Sequence, residues 1–216
     1  MRRRRTTQDA LLAAARRAGV SDERVLAAVA AVPREHFVPP GAESEAVLDR
    51  PIVIGSGQTT SQPSLIASML AALELTGTER VLEIGTGFGY QTALLAQLAA
   101  EVYSIERIAS LAERAREHLA ACGIEGVEVV VGDGTRGLPE AAPFDAVVIS
   151  AAAREVPSAL ASQVTDGGRV VAPVGPSGAQ TVVRYTVRDG RLQDAQRLTA
   201  VRFVPLIGDD DTTGRG

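Results

Sequence analysis

The sequence predicts an α/β fold: a doubly wound, mostly parallel sheet that ends in an antiparallel C-terminal strand, preceded by an N-terminal helical extension. Three observations predict it. Short, near-continuous apolar runs at VLEI (81–84), VYSI (102–105), VEVVV (127–131) and FDAVVIS (144–150) alternate with helical segments near 90–99, 108–122 and 157–165, the pattern of parallel strands covered on both faces. Past residue 168 the rhythm changes to RVVAPVG (169–175), TVVRYTV (181–187) and a run around VRFVPL (201–206) with little room for helices between them. Asp189-Gly190 in that region is a strong two-residue hairpin signal.

Taken in chain order, QDALLAAARRA (8–18) reads as a helix stopped by Gly19, and Ser21 is placed to cap a second helix carrying Val25, Val29 and Val32 at helical spacing. Pro33 closes that helix. The stretch 33–62 is rich in Pro, Gly and Ser without a sustained period, which predicts a long, irregular and functional segment. A helix follows from Pro63 to about Leu73, with proline in its first turn. The expected organisation is an N-terminal helical and substrate-loop extension (1–62), a ligand-binding core (63–208) and a disordered tail (209–216), within one compact unit of 216 residues.

Composition narrows the chemistry. All 22 basic residues are arginine, so lysine-based Schiff-base chemistry and the lysine of a phosphate-cradling P-loop are excluded. One cysteine (Cys122) rules out an internal disulfide and any Cys-rich zinc site, and two histidines (His36, His118) leave little for a histidine metal cluster, so no metal is expected. A net charge of −4 argues against broad nucleic-acid or membrane binding, and the run Arg2–Arg5 reads as a solvated end. The lone cysteine and the lack of an export signal or apolar span point to the cytoplasm. His36 is expected to pack or cap in its loop, His118 to face solvent and Cys122 to fill a small buried space.

The chemistry-bearing pattern starts where the first parallel strand meets a helix, at Glu83-Ile84-Gly85-Thr86-Gly87-Phe88-Gly89-Tyr90. Glycines there permit a tight turn and let a ligand approach the backbone at the carboxyl end of the strand. A dinucleotide fingerprint would place a small residue at position 90; tyrosine stands there instead. Glu106, about 20 residues past the glycines and next to Arg107, closes the second strand where a carboxylate accepts hydrogen bonds from ribose hydroxyls. Asp133-Gly134 closes the third. As plain structure, these three features would be a packing turn, a solvated loop charge and an Asp-Gly turn.

The E-x-G-x-G-x-G form resembles the first motif of S-adenosyl-L-methionine (SAM)-dependent methyltransferases, which implies a Rossmann-like core. Together with VPREHFVP (32–39), DRPIVIGSGQTTSQP (49–63), GDG (132–134), APFDAVVISAA (142–152), GGRVVAPVG (167–175) and VRFVPL (201–206), it resembles the protein-L-isoaspartate O-methyltransferase family from about residue 20 to 207. The resemblance implies methyl transfer from SAM to the α-carboxylate of isoaspartyl residues in damaged polypeptides, with repair through a succinimide; a monomer is expected. It assigns Glu83, Gly85, Thr86, Gly87, Gly89, Glu106, Arg107, Asp133 and Gly134 to the cofactor, with Asp133 and Gly134 against the adenine. Ser61 is carried over as catalytic; as plain structure it would cap the following helix. Gln58, Thr59, Thr60, Ser150, Ala151 and Ala152 are assigned to the substrate, and Val204 to Leu206 to backbone pairing with an extended peptide. Three positions depart from the family pattern: Val47 for Tyr, Val53 for Pro and Thr60 for Ile. They keep open a rival that methylates a normal aspartate in a dedicated peptide; an NAD-dependent oxidoreductase and a non-catalytic SAM-binding protein are the distant rivals.

Overall fold

The computed structural model describes the backbone of residues 2–208 and side chains from residue 7 onward, so the expected disordered tail and the Arg2–Arg5 side chains lie outside the described residues. Helix α1 (Arg2–Arg17) stops just before Gly19, which takes a φ of 89°. Helix α2 (Glu23–Ala31) is capped by Asp22, whose side chain accepts from the Arg24 and Val25 amides at 2.9 and 3.4 Å. Asp22 therefore takes the role expected of Ser21: a carboxylate meets the positive helix end more strongly than a hydroxyl.

The segment expected to be irregular is short-range structure tied down from a distance. Two 3-10 turns, Arg34–Phe37 and Glu43–Glu45, lead into a small antiparallel hairpin of β1 (Val53–Gly55) and β2 (Gln58–Thr59). Helix α3 (Pro63–Ala71) follows, with proline at its start. Its exposed amides are served by Asp49, which accepts from the Ser64 amide and the Gln62 side chain, both at 2.9 Å.

The sheet then builds outward and doubles back. Strands β3 (Arg80–Ile84), β4 (Glu101–Glu106) and β5 (Val127–Val131) alternate with α4 (Tyr90–Leu95) and α5 (Ala109–Ala121). The chain returns to β6 (Phe144–Ile149), passes α6 (Ser158–Ala161) and enters β7 (Val164–Val174), β8 (Gln180–Arg188) and β9 (Arg191–Val201). The seven strands lie in the order β5-β4-β3-β6-β7-β8-β9, parallel as far as β7, with β8 antiparallel to both neighbours. Asp189 and Gly190 form the β8–β9 turn with φ of 50° and 66°, the left-handed pair such a turn requires.

Two expectations are corrected. The last strand is the polar run Arg191–Val201, whereas RFVPL beyond it is extended chain with one isolated bridge, Ala152 to Pro205. Strand pairing with β8 outweighs apolar composition there. Strand β7 also begins five residues before Arg169, because an irregularity opposite Phe144 and Ala146 absorbs the Asp166-Gly167-Gly168 stretch.

One core is continuous between the helical extension and one face of the sheet: Leu11, Val29, Leu70, Leu94 and Leu119 pack with Val81, Val102 and Val148. The opposite face packs Leu82, Phe144 and Val170 under Leu160 of α6. Strands β3 and β6 are neighbours although two helices and two strands separate them in sequence, so their carboxyl ends form the switch point where α/β sheets bind ligands.

Candidate active site

At that switch point lies a cavity of about 320 Å³, the scale of a small-molecule site. Gly85 and Gly87 form its floor with φ of 94° and 57°; a Cβ on Gly85 would come within 3.4 Å of Ser150, and one on Gly87 within 3.4 Å of Ile54. Glycine keeps this crevice open in both respects. Ile105, Ile108 and Leu111 supply an apolar wall, and Ile54 of the β1–β2 hairpin faces it. At Gly134 a Cβ would collide with the Ile84 side chain.

Of the residues expected to hold the cofactor, Gly85, Thr86, Gly87, Glu106, Arg107 and Gly134 line this cavity. Glu106 is buried, and each oxygen accepts one backbone amide: Gly87 at 2.9 Å and Ile108 at 3.0 Å. These two bonds tie the glycine turn to the start of α5, and a carboxylate retains lone pairs for hydroxyl donors beyond them.

Glu83, Gly89 and Asp133 are not on the cavity wall. Glu83 is fully buried in β3 and accepts from Gln91 at 2.9 Å, Ser104 at 2.6 Å and Thr92. Ser104 also bonds Thr86 at 2.6 Å, and Gln91 bonds Ser150 at 2.8 Å. The carboxyl is thus the centre of a polar chain running from Thr86 to Ser150 beneath the cavity. Burial, only partly opposed by those bonds, pushes its pKa up to about 7. Gly89 starts α4 in a left-handed conformation and packs on α5, where a Cβ would stand 3.4 Å from Ala115. Asp133 accepts from the Thr135 amide and hydroxyl at 2.9 and 2.7 Å, which shapes the turn that presents Gly134.

Gln58, Thr59, Thr60, Ser61, Ser150, Ala151, Val204 and Leu206 line the same cavity. Ser61 does not cap α3; Asp49 serves that end, and the Ser61 hydroxyl has no hydrogen bond among the described residues. It remains free for a ligand. Ala152 stands outside the wall. Its amide donates to Val204 O at 2.8 Å and its carbonyl accepts from Leu206 N at 2.7 Å. Those bonds hold the C-terminal segment in place, and they leave its backbone with little to offer a peptide, since Pro205 has no N–H.

Arg34 was not anticipated as a site residue. Its side chain is fully buried and donates to the carbonyls of Ala46, Leu48 and Arg50 at 3.1, 2.7 and 2.9 Å, and to the Thr60 hydroxyl at 3.3 Å. Thr60 Oγ1 also accepts from the Ile52 amide at 3.1 Å. One cation therefore gathers the whole segment before Ser61, and no local spacing signals it because the partners lie 12 to 26 residues away. Thr60, one of the three departures from the family pattern, spends its hydroxyl on this clamp. Val47 and Val53 do not line the cavity.

His118 reverses its expected setting. His36 is exposed, whereas His118 is half-buried against the edges of Phe37 and Phe88, with Nδ1 3.1 Å from the Phe88 carbonyl. Cys122 is half-buried beside the core. Among the described residues, no helix is long and apolar enough to cross a membrane.

The family model of protein-L-isoaspartate(D-aspartate) O-methyltransferase matches residues 6–211. A protein-L-isoaspartate O-methyltransferase of Methanoculleus marisnigri is 55% identical over 190 residues, covering 88% of this chain and 86% of its own. One from Myxococcus xanthus is 50% identical over 195 residues, covering 89% and 92%. A solved protein-L-isoaspartate O-methyltransferase superposes with a TM-score of 0.84 at 30% identity over 94% of this chain, which spans 66% of that structure's chain. A Plasmodium falciparum beta-aspartate methyltransferase in complex with S-adenosyl-L-homocysteine has the same fold, with a TM-score of 0.80 at 22% identity over 93% of this chain and 97% of its own. This chain belongs to the protein-L-isoaspartate(D-aspartate) O-methyltransferase family.

Proposed function

We propose that the protein methylates the α-carboxylate of L-isoaspartyl residues in damaged polypeptides, using SAM as donor and starting repair through a succinimide. The observation that carries this reading is the uncommitted Ser61 hydroxyl in a cavity whose other end is a glycine floor with a buried carboxylate. The cavity suits an S-adenosyl group: Glu106 is placed for ribose hydroxyls, Ile105, Ile108 and Leu111 for a heterocycle, and Gly134 for close approach over Ile84. When bound, SAM supplies a methyl group activated by its sulfonium.

The chain's own task is positioning. A substrate carboxylate is ionised at neutral pH and is already a nucleophile, so no general base is required. Ser61 donates to one carboxylate oxygen and leaves the other to attack, and Arg34 holds the backbone that carries Ser61. Ile54, Val204 and Leu206 exclude water, which would otherwise solvate the attacking oxygen. The resulting ester has an electrophilic carbonyl and a methoxy leaving group, which the free carboxylate lacks, so the following backbone nitrogen can attack it and close the succinimide with loss of methanol, off the enzyme. Work in the cytoplasm belongs to the same reading, supported by the single cysteine, and so does a monomeric state. Nothing at Val47, Val53 or Thr60 favours the dedicated-peptide rival.

The test uses methyl-labelled SAM and two peptides that differ only in isoaspartate versus aspartate. Base-labile label on the isoaspartyl peptide alone is expected; label on the aspartyl peptide, or on neither, overturns the proposal.

A further inference from the structure

At Thr59, Thr60, Ser61, Ser150 and Val204 the cavity opens into a second groove of about 1570 Å³, much more than one reacting side chain needs. One wall is the α1–α2 junction with α3. The other is the later half of β9 and the chain to Val204. Strand β9 is the last of the sheet, so its outer edge is unpaired, and it is continuous with the substrate end of the site.

Four charged side chains line this groove: Asp22, Glu74, Arg197 and Arg202. Both acids stand on the opposite wall: Asp22 accepts from the amides that start α2 and keeps its charge there, and Glu74 is paired with Arg184 at 2.6 Å. The two arginines are not neutralised. Arg197 bonds only the hydroxyl of Thr181, at 2.7 Å, and Arg202 is exposed without an acidic partner among the described residues. Positive charge is therefore concentrated on the β9 wall, which leads into the site of a protein whose net charge is −4.

Resting on the isoaspartyl reading above, we infer that this groove holds the polypeptide flanking the reacting residue and that Arg202 and Arg197 select acidic side chains in it. Spacing sets the register. At about 3.3 Å per extended residue, Arg202 lies some 7 Å from Val204 along the chain and Arg197 some 23 Å. Carboxylates two to three residues from the isoaspartyl residue meet Arg202, and those six to seven residues away meet Arg197. The competing explanation is that charges on an edge strand merely prevent sheet-to-sheet aggregation, in which case they leave peptide affinity unchanged.

The experiment compares isoaspartyl peptides of about 17 residues in a neutral Ala/Ser/Gly background with versions carrying Glu at those offsets on either side. At low salt, acidic flanks on one side are expected to lower KM about fivefold with kcat unchanged, and 0.5 M NaCl to erase the difference. Arg202→Gln and Arg197→Gln, both surface changes, should remove the advantage while leaving the KM of the neutral peptide as it was. Equal KM for acidic and neutral peptides, or an advantage that survives the double variant, overturns the inference, and methylation of the neutral peptide would then leave the functional proposal standing. Should no peptide be methylated, the functional proposal fails instead; fluorescence anisotropy of labelled acidic and neutral peptides still decides the groove, with equal affinities refuting it.

Discussion

Glu83 offers a test of the buried polar chain under the cavity that is independent of catalysis. Its carboxyl has a pKa of about 7 against 4.5 when unperturbed, chiefly because burial penalises the charge. A group whose pKa is raised on folding contributes its stability fully below the unfolded value and loses it as pH rises through the folded value. The window is therefore pH 4.5 to about 7. At about 1.4 kcal/mol per tenfold change in proton affinity, the penalty for ionising it in the folded protein reaches about 3 kcal/mol by pH 8. Glu83→Gln keeps an acceptor for Ser104 and Thr92 and, with the Gln91 amide reversed, a donor for its partner, but it cannot ionise. Urea denaturation of wild type and variant between pH 5 and pH 8.5 should show wild type losing about 2–3 kcal/mol relative to the variant as pH rises, or roughly 4–12 °C in Tm for a chain of this size. A wild-type-minus-variant difference that stays flat across this range would refute the assignment of Glu83 as a buried, poorly solvated acid.

Three further outcomes follow from the site. Ser61→Ala should lower kcat by about 10²-fold, the effect of losing one positioned donor, while SAM affinity by calorimetry stays within about twofold; near-normal turnover would remove Ser61 from the reaction. Glu106→Gln should weaken SAM binding about tenfold and also cost about 1–3 kcal/mol in denaturation, because its new NH2 faces one of the two backbone amides that each used a separate carboxylate oxygen; unchanged affinity would disprove the ribose assignment. Arg34→Met removes the hydrogen bonds to three carbonyls and Thr60, of which Leu48 and Thr60 keep another donor, and should cost about 3 kcal/mol in denaturation and lower turnover more than SAM affinity. Arg34→Lys should recover part of both; if turnover is normal in either variant, the clamp does not position Ser61.

The division between what was legible in the sequence and what was not follows the range of each interaction. Strand and helix alternation, the Asp189-Gly190 turn and the crevice at Gly85 and Gly87 were readable, since each depends on hydrophobic period or on residues a few positions apart. The motif also marked Glu83, yet spacing alone could not separate a residue facing the ligand from one facing inward beneath it. Asp133 and Gly89 pose the same difficulty: a turn-shaping carboxylate and a packing glycine share the motif with residues that line the cavity.

By itself, then, the sequence determined the fold class, the order of the strands' chemistry and the family, because these are written in local periods and motifs. Only the tertiary structure decided that Ser61 is relieved of capping by Asp49, that Arg34 gathers carbonyls from Ala46, Leu48 and Arg50 behind Thr60, and that the polar run Arg191–Val201 rather than VRFVPL completes the sheet. In each case a buried polar group had to find a partner, or a strand its neighbour, and the one it found lay many residues away, where only the folded chain brings the two together.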